Sequence, residues 1–171
     1  TEKGEERMTA QLVKIKKDGD KYTFDFSKAH KFISFVRERG IKYFELAHLY
    51  TQWGAEFCPK IMAEENGEER RIFGWDTSSE SEKYKNFLIQ YIEAVKKFLD
   101  DEKITEYSYF HLSDEPNQDS IDRYCRLYAF VKPLIGDIQT IDALSEYDFY
   151  ERKSILNKQI IIFKKSITQL I

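Results

Sequence analysis

Three groups of polar residues sit where apolar runs break off, and their types could do chemistry. His111 is followed by Asp114 and Glu115 in the run Tyr109-Phe110-His111-Leu112-Ser113-Asp114-Glu115-Pro116. Glu45 and His48 interrupt the apolar stretch from Ile41 to Leu49. Trp53, Trp75 and Asp76 fall in the connection after it, and Asp25 closes an earlier alternating stretch. Carboxylates can serve as acid, base or nucleophile, and aromatic faces stack on the apolar faces of pyranose rings. The mixture therefore points to sugar chemistry. Each residue also has a structural reading. Asp114 and Glu115 could be acids favoured by the positive end of a following helix. His48 and His111 could be satisfied structural histidines, and Trp53 and Trp75 could anchor a loop. Glu45 leans toward use, because a carboxylate inside an apolar run is costly unless it is paired.

The surrounding pattern predicts the elements that must hold these residues. Leu12, Val13 and Ile15 face Tyr22, Phe24 and Phe26 across Asp18-Gly19-Asp20, which is a hairpin signal. Ser27 is placed to cap a helix carrying Phe32, Ile33 and Val36 and ending at Gly40. Ile41 to Leu49 reads as a buried strand, so strand, helix and strand suggest a parallel crossover unit. Residues 50–81 form a long irregular connection, with a two-stranded excursion near Lys60–Met62 and Arg70–Phe73. A connection of that length is usually functional. Apolar residues from Tyr84 to Leu99 recur at helical spacing over about four turns. Tyr107 to Leu112 reads as a strand, Ile121 to Val131 as a helix stopped near Pro133, and Ile138 to Ala143 as a further strand. The expected class is α/β: a partial TIM-like (β/α) barrel with mainly parallel strands, since a full barrel needs about 200–250 residues. In parallel sheets ligands bind at the carboxyl ends of the strands, where these polar residues fall.

Composition bounds the partners. The 171 residues fit one domain. Hydrophobic residues at 42% and charged residues at 33% describe a globular chain and not a disordered one. No apolar run approaches the roughly 18–20 residues of a membrane span. Lys and Arg (27) are outnumbered by Asp and Glu (30), which argues against nucleic acid as the main partner. Aromatic residues make up 15% of the chain, enough for either an apolar core or a stacking surface, with core favoured. Cys58 and Cys125 stand far apart with no CxxC, so free thiols are expected, with neither a zinc site nor a disulfide framework. No metal or organic cofactor is indicated. The chain begins at Thr1 and is expected to be a piece of something longer, which leaves its compartment open. Residues 1–151 read as the partial barrel domain. Residues 152–171 read as an atypical tail of Lys, Ile, Gln, Asn and Ser that breaks the pattern, as a shifted reading frame would.

Several segments resemble one family. Gly40 to Ala55 (Gly-Ile-Lys-Tyr-Phe-Glu-Leu-Ala-His-Leu-Tyr-Thr-Gln-Trp-Gly-Ala) is similar to a segment of glycoside hydrolase family 123 and its large bacterial relatives. So are Ile72-Phe73-Gly74-Trp75-Asp76, the His-x-Ser-Asp-Glu-Pro run, and Ile141-Asp142-Ala143-Leu144-Ser145. The resemblance covers roughly residues 10–151. It implies a TIM-like catalytic barrel, a carbohydrate substrate, and cleavage of terminal β-linked N-acetylhexosamine, chiefly N-acetylgalactosamine, with retention by substrate assistance. Asp114 would then orient the 2-acetamido group, and Glu115 would act as general acid and base. Glu45, His48, Trp53, Trp75, Asp76 and His111 would line the sugar pocket. Two other outcomes stay open: a non-catalytic carbohydrate-binding module using Trp53 and Trp75, and an inactive truncated fragment whose open sheet edges invite self-association.

Overall fold

In a computed structural model, residues 10–52, 54–113, 120–144 and 160–164 are described. The hairpin forms as its turn predicts. β1 (Lys14–Asp18) and β2 (Lys21–Asp25) pair antiparallel with Asp18 opposite Lys21, and Gly19 takes the positive φ (+56°) that the tight turn requires. β4 (Ile61–Glu65) and β5 (Glu68–Phe73) form a second hairpin around Asn66-Gly67, both at positive φ. β4 pairs parallel with β1, giving a four-stranded sheet in the order β2-β1-β4-β5. The two-stranded excursion is therefore longer than its sequence suggests and is built into a sheet.

α1 spans Ser27–Arg37, but Ser27 is not its cap: Phe26 holds that position and makes no side-chain capping bond. The Asp25 carboxylate does the work instead. It accepts from the Ser27 backbone N–H (2.8 Å) and the Ser27 hydroxyl (2.5 Å), and these two bonds hold its carboxyl below the usual aspartate range. A carboxylate near the first turn satisfies an orphan amide and suits the positive helix end better than a hydroxyl does.

The second sheet is wholly parallel, in the order β3-β6-β7-β8. Its strands are β3 (Phe44–Glu45), β6 (Ser108–Phe110), β7 (Gln139–Leu144) and β8 (Ile160–Lys164), with registers Phe44↔Ser108, Tyr109↔Gln139 and Thr140↔Ile160. β8 arises within the segment 152–171. β2 and β3 belong to different sheets, so the crossover expected between them does not form. The crossovers run instead from β3 to β6 through α2 (Glu82–Asp101) and from β6 to β7 through α3 (Ile121–Ile135). The fold is thus mixed α/β, with one mixed and one wholly parallel sheet and no closed barrel among the described residues.

The segment Ile41–Leu49 is also less buried than its composition suggests. Ile41 is 50% and Tyr43 64% exposed, because β3 is the edge strand of its sheet. Only Leu49 is buried in that stretch.

α2 supplies the centre of the core. Ser81 caps it, accepting from the Tyr84 N–H (3.4 Å). The expected stripe is buried at Tyr84, Phe87, Leu88, Ile92, Val95 and Leu99. Aromatic rings of the first sheet lie against it, Tyr22 edge-on to Phe87 at 5.1 Å and Phe73 tilted against Phe87 at 5.3 Å, and Phe26 at the start of α1 stacks on Phe98 at 4.6 Å. Much of the aromatic surplus therefore fills the core, where such pairs add to burial. α3 buries Tyr124, Leu127, Tyr128, Val131 and Ile135, with Tyr124 reaching Asp142 on β7, and runs on through Pro133 to Ile135. No helix among the described residues is long and apolar enough to cross a membrane.

Candidate active site at the ends of the parallel strands

The carboxyl ends of β3 and β6 leave the sheet side by side. β6 stops at Phe110, yet its continuation stays tied to the chain after β3. Leu49 N–H donates to the His111 carbonyl (2.9 Å) and Tyr50 N–H to the Leu112 carbonyl (2.8 Å). The Ser113 hydroxyl donates to the Thr51 carbonyl (2.8 Å) and is fully buried. Thr51 in turn clasps Phe57 through both its N–H and its hydroxyl.

This arrangement brings three of the expected residues together. Glu45 Oε1 and His111 Nδ1 lie 2.5 Å apart, and the His48 ring sits 3.9 Å from the His111 ring, centroid to centroid. His111 is only 6% exposed, whereas the Glu45 side chain is 53% exposed and half-buried His48 lies between these extremes. Glu45 thus does not occupy the apolar interior that its sequence neighbours suggest. It stands at the open strand edge and is paired with His111.

Beneath them lies Asp142, on β7, with no exposed surface. Its Oδ1 accepts from the Leu112 N–H (3.0 Å) and the Ser113 N–H (3.2 Å), and its Oδ2 from the Tyr124 hydroxyl of α3. Burial, then the Asp142 charge and hydrogen bond, raise the Tyr124 phenol well above its ordinary value. Buried carboxylates need such partners. Asp142 also lies 3.5 Å from His111 Nε2, a buried atom with no hydrogen bond. Sequence reasoning left Asp142 and Tyr124 out of the site. The signal for Asp142 was the same one that marked Glu45, a carboxylate within an apolar strand.

Trp75 and Asp76 stand on the turn after β5. Trp75 is half-buried and packs against Phe57 with ring centroids 6.3 Å apart. Asp76 accepts from Arg71 (2.6 Å) at an exposed position. Against a desolvation that pushes it up, the Arg71 hydrogen bond and charge hold its carboxyl below the usual value. The loop carrying them is fastened to 51–58 by Cys58 N–H to the Thr77 carbonyl (3.0 Å) and Ser79 N–H to the Glu56 carbonyl (3.1 Å). Gly54 anchors the 51–58 segment to α3. Its φ is +111°, its carbonyl accepts from Arg123 (3.1 Å), and a Cβ there would come 2.9 Å from the Ser120 Cβ. Trp53, Asp114 and Glu115 lie outside the described residues; Asp114 follows directly on the pinned Ser113.

The comparisons with known proteins agree on the family. The family model described as glycoside hydrolase 123, catalytic domain, matches residues 1–170. Ten solved chains match, among them a family 123 glycoside hydrolase from Clostridium perfringens studied for the details of glycolipid glycan hydrolysis. This chain is 17% identical to it, with a TM-score of 0.61 over 89% of the present chain and 27% of that one, so the present chain spans about a quarter of its length. At that identity the likeness is one of fold. No curated protein matches. With the family model matching over residues 1–170, the chain belongs to the glycoside hydrolase 123 catalytic-domain family.

Proposed function

We propose that this chain is part of a glycoside hydrolase that cleaves terminal β-linked N-acetylhexosamine, N-acetylgalactosamine foremost, with its parallel sheet forming part of a TIM-like barrel. One observation carries the reading: the backbone at Leu112-Ser113, where β6 has ended and the family's acid pair begins, is fixed from beneath by the buried Asp142. Consecutive side chains of a strand point to opposite faces, so two adjacent acids can share a pocket only after the strand has stopped. Pro116 supports this by disfavouring helical geometry at Glu115.

In this mechanism Asp114 orients and polarises the 2-acetamido group. The acetamido oxygen attacks the anomeric carbon and the glycosidic C–O bond breaks. Glu115 gives its proton to the departing oxygen. Water then opens the oxazolinium-type intermediate, and Glu115 takes the proton back. Such substrate assistance is a known exception to the two-carboxylate spacing rule. Glu45, His48, His111, Trp53, Trp75 and Asp76 line the sugar pocket.

The test is chromophore release from an aryl β-N-acetylgalactosaminide. Glu115→Gln should lower kcat by about 10²–10⁴-fold, the usual contribution of a general acid. Asp114→Asn should cost kcat more than KM. Binding of N-acetylgalactosamine without turnover, lost in Trp75→Ala and unchanged by Glu115→Gln, would replace this mechanism with a non-catalytic sugar-binding role.

A further inference from the structure

We infer that Glu45, His48 and His111 form a binding site for one divalent transition-metal ion of the zinc type. The inference goes beyond the glycosidase reading and does not depend on it. The three side chains each present one ligand atom, and these atoms all lie within 4.8 Å of one another. Zinc bonds to His nitrogen and carboxylate oxygen at about 2.0–2.2 Å, so tetrahedral neighbours stand roughly 3.3–3.6 Å apart. Bringing the cluster to that spacing requires shifts of about an ångström, made by the side chains of Glu45 and His48, which are less tightly packed than that of His111. Two imidazoles and one carboxylate are a donor set that suits zinc and its neighbours rather than calcium or magnesium.

The layer behind the cluster strengthens the case. Metal-ligating histidines almost always direct their second ring nitrogen to a carboxylate or carbonyl, which fixes the tautomer and the ring orientation. His111 is built this way. Nδ1 faces Glu45, while Nε2 is buried, lacks a hydrogen bond, and faces the fully buried Asp142 carboxylate at 3.5 Å. A proton on Nε2 leaves the Nδ1 lone pair free on the side of Glu45, and the His48 ring lies 3.9 Å from the His111 ring, centroid to centroid. Three protein ligands leave at least one coordination position open, the arrangement of an ion that meets a small-molecule oxygen.

The experiment uses the full chain, stripped with chelator and dialysed, with metal alone as the probe. Zinc is titrated by calorimetry, and cobalt(II) by its visible absorption. The expected result is stoichiometric binding, a cobalt spectrum of low coordination number, and a loss of more than about 100-fold in affinity in both His48→Ala and Glu45→Gln. Unchanged metal-free unfolding temperatures in these two variants establish that they fold. Wild-type binding no tighter than that of the His48→Ala/Glu45→Gln double variant overturns the inference. Because no sugar is present, that failure leaves the Glu115 test untouched.

Discussion

Removing the Tyr124 hydroxyl is the sharpest probe of the scaffold under the candidate site. Tyr124 and Asp142 are both fully buried, and the phenol donates to Oδ2 while Oδ1 holds the Leu112 and Ser113 amides. Tyr124→Phe keeps the ring's volume, so no cavity term arises and the loss is that of one hydrogen bond to a charged acceptor, about 1.5–3 kcal/mol. For a chain of this size about 1 kcal/mol moves Tm by roughly 2–4 °C, so a fall of about 3–12 °C is expected. Asp142→Ala is harsher. It strips an acceptor from two amides and a phenol at about 1–3 kcal/mol each, comparable to the whole stability of about 5–15 kcal/mol, and should abolish cooperative unfolding. Asp142→Asn retains one acceptor oxygen and allows a double-mutant cycle with Tyr124→Phe, in which coupling of at least about 1 kcal/mol is expected. Urea unfolding followed by circular dichroism reads all of these. A Tyr124→Phe protein within about 0.5 kcal/mol of wild type, or strict additivity in the cycle, would refute the clamp.

Two further outcomes follow from the same geometry. Burial raises the phenols of Tyr50, Tyr84, Tyr91 and Tyr124 above their ordinary value, Tyr91 to about 12. The native state therefore keeps protons that the unfolded chain gives up above about pH 10. This tyrosine contribution should be undiminished below that pH and be lost as pH rises through about 12, so a urea midpoint equal at about pH 9 and about pH 11 would contradict these assignments. Gly54→Ala forces a side chain at φ +111° to 2.9 Å from the Ser120 Cβ and should cost about 1–3 kcal/mol. Gly19→Ala, with nothing within 4 Å, should cost less; equal urea midpoints for the two would count against the docking of the loop on α3.

What was legible in the sequence was local. The Asp18-Gly19-Asp20 hairpin and the α2 stripe follow from periodicity and turn chemistry confined to neighbouring residues, and both formed as expected. Sheet membership was not legible, since it is decided by residues far apart in the chain: β2 and β3 looked like one unit and went to different sheets. Asn66-Gly67 was as strong a turn signal as the first and marks a hairpin of fuller length than the flanking residues suggested. Ser27 lost the capping role because Asp25, two residues earlier, offers a charged acceptor. Glu45, His48 and His111 were picked out as polar intrusions at strand ends and do converge. Asp142 gave the same signal but was passed over, because its role is to hold backbone rather than to face an opening.

The registers of the parallel sheet carry a kinetic consequence. Phe44 finds its partner at Ser108 and Tyr109 at Gln139, whereas each antiparallel hairpin closes over a two-residue turn. Closing such long intervening loops costs chain entropy before any contact rewards it, so the hairpins and α2 can assemble early while β3 and β6 must wait. The carboxyl ends of these two paired strands, where the polar cluster gathers, are then among the last parts of the molecule to come into being. Pulse-labelled amide exchange should show the Leu46 amide, bonded to the Tyr109 carbonyl, protected after those of β1 and β2.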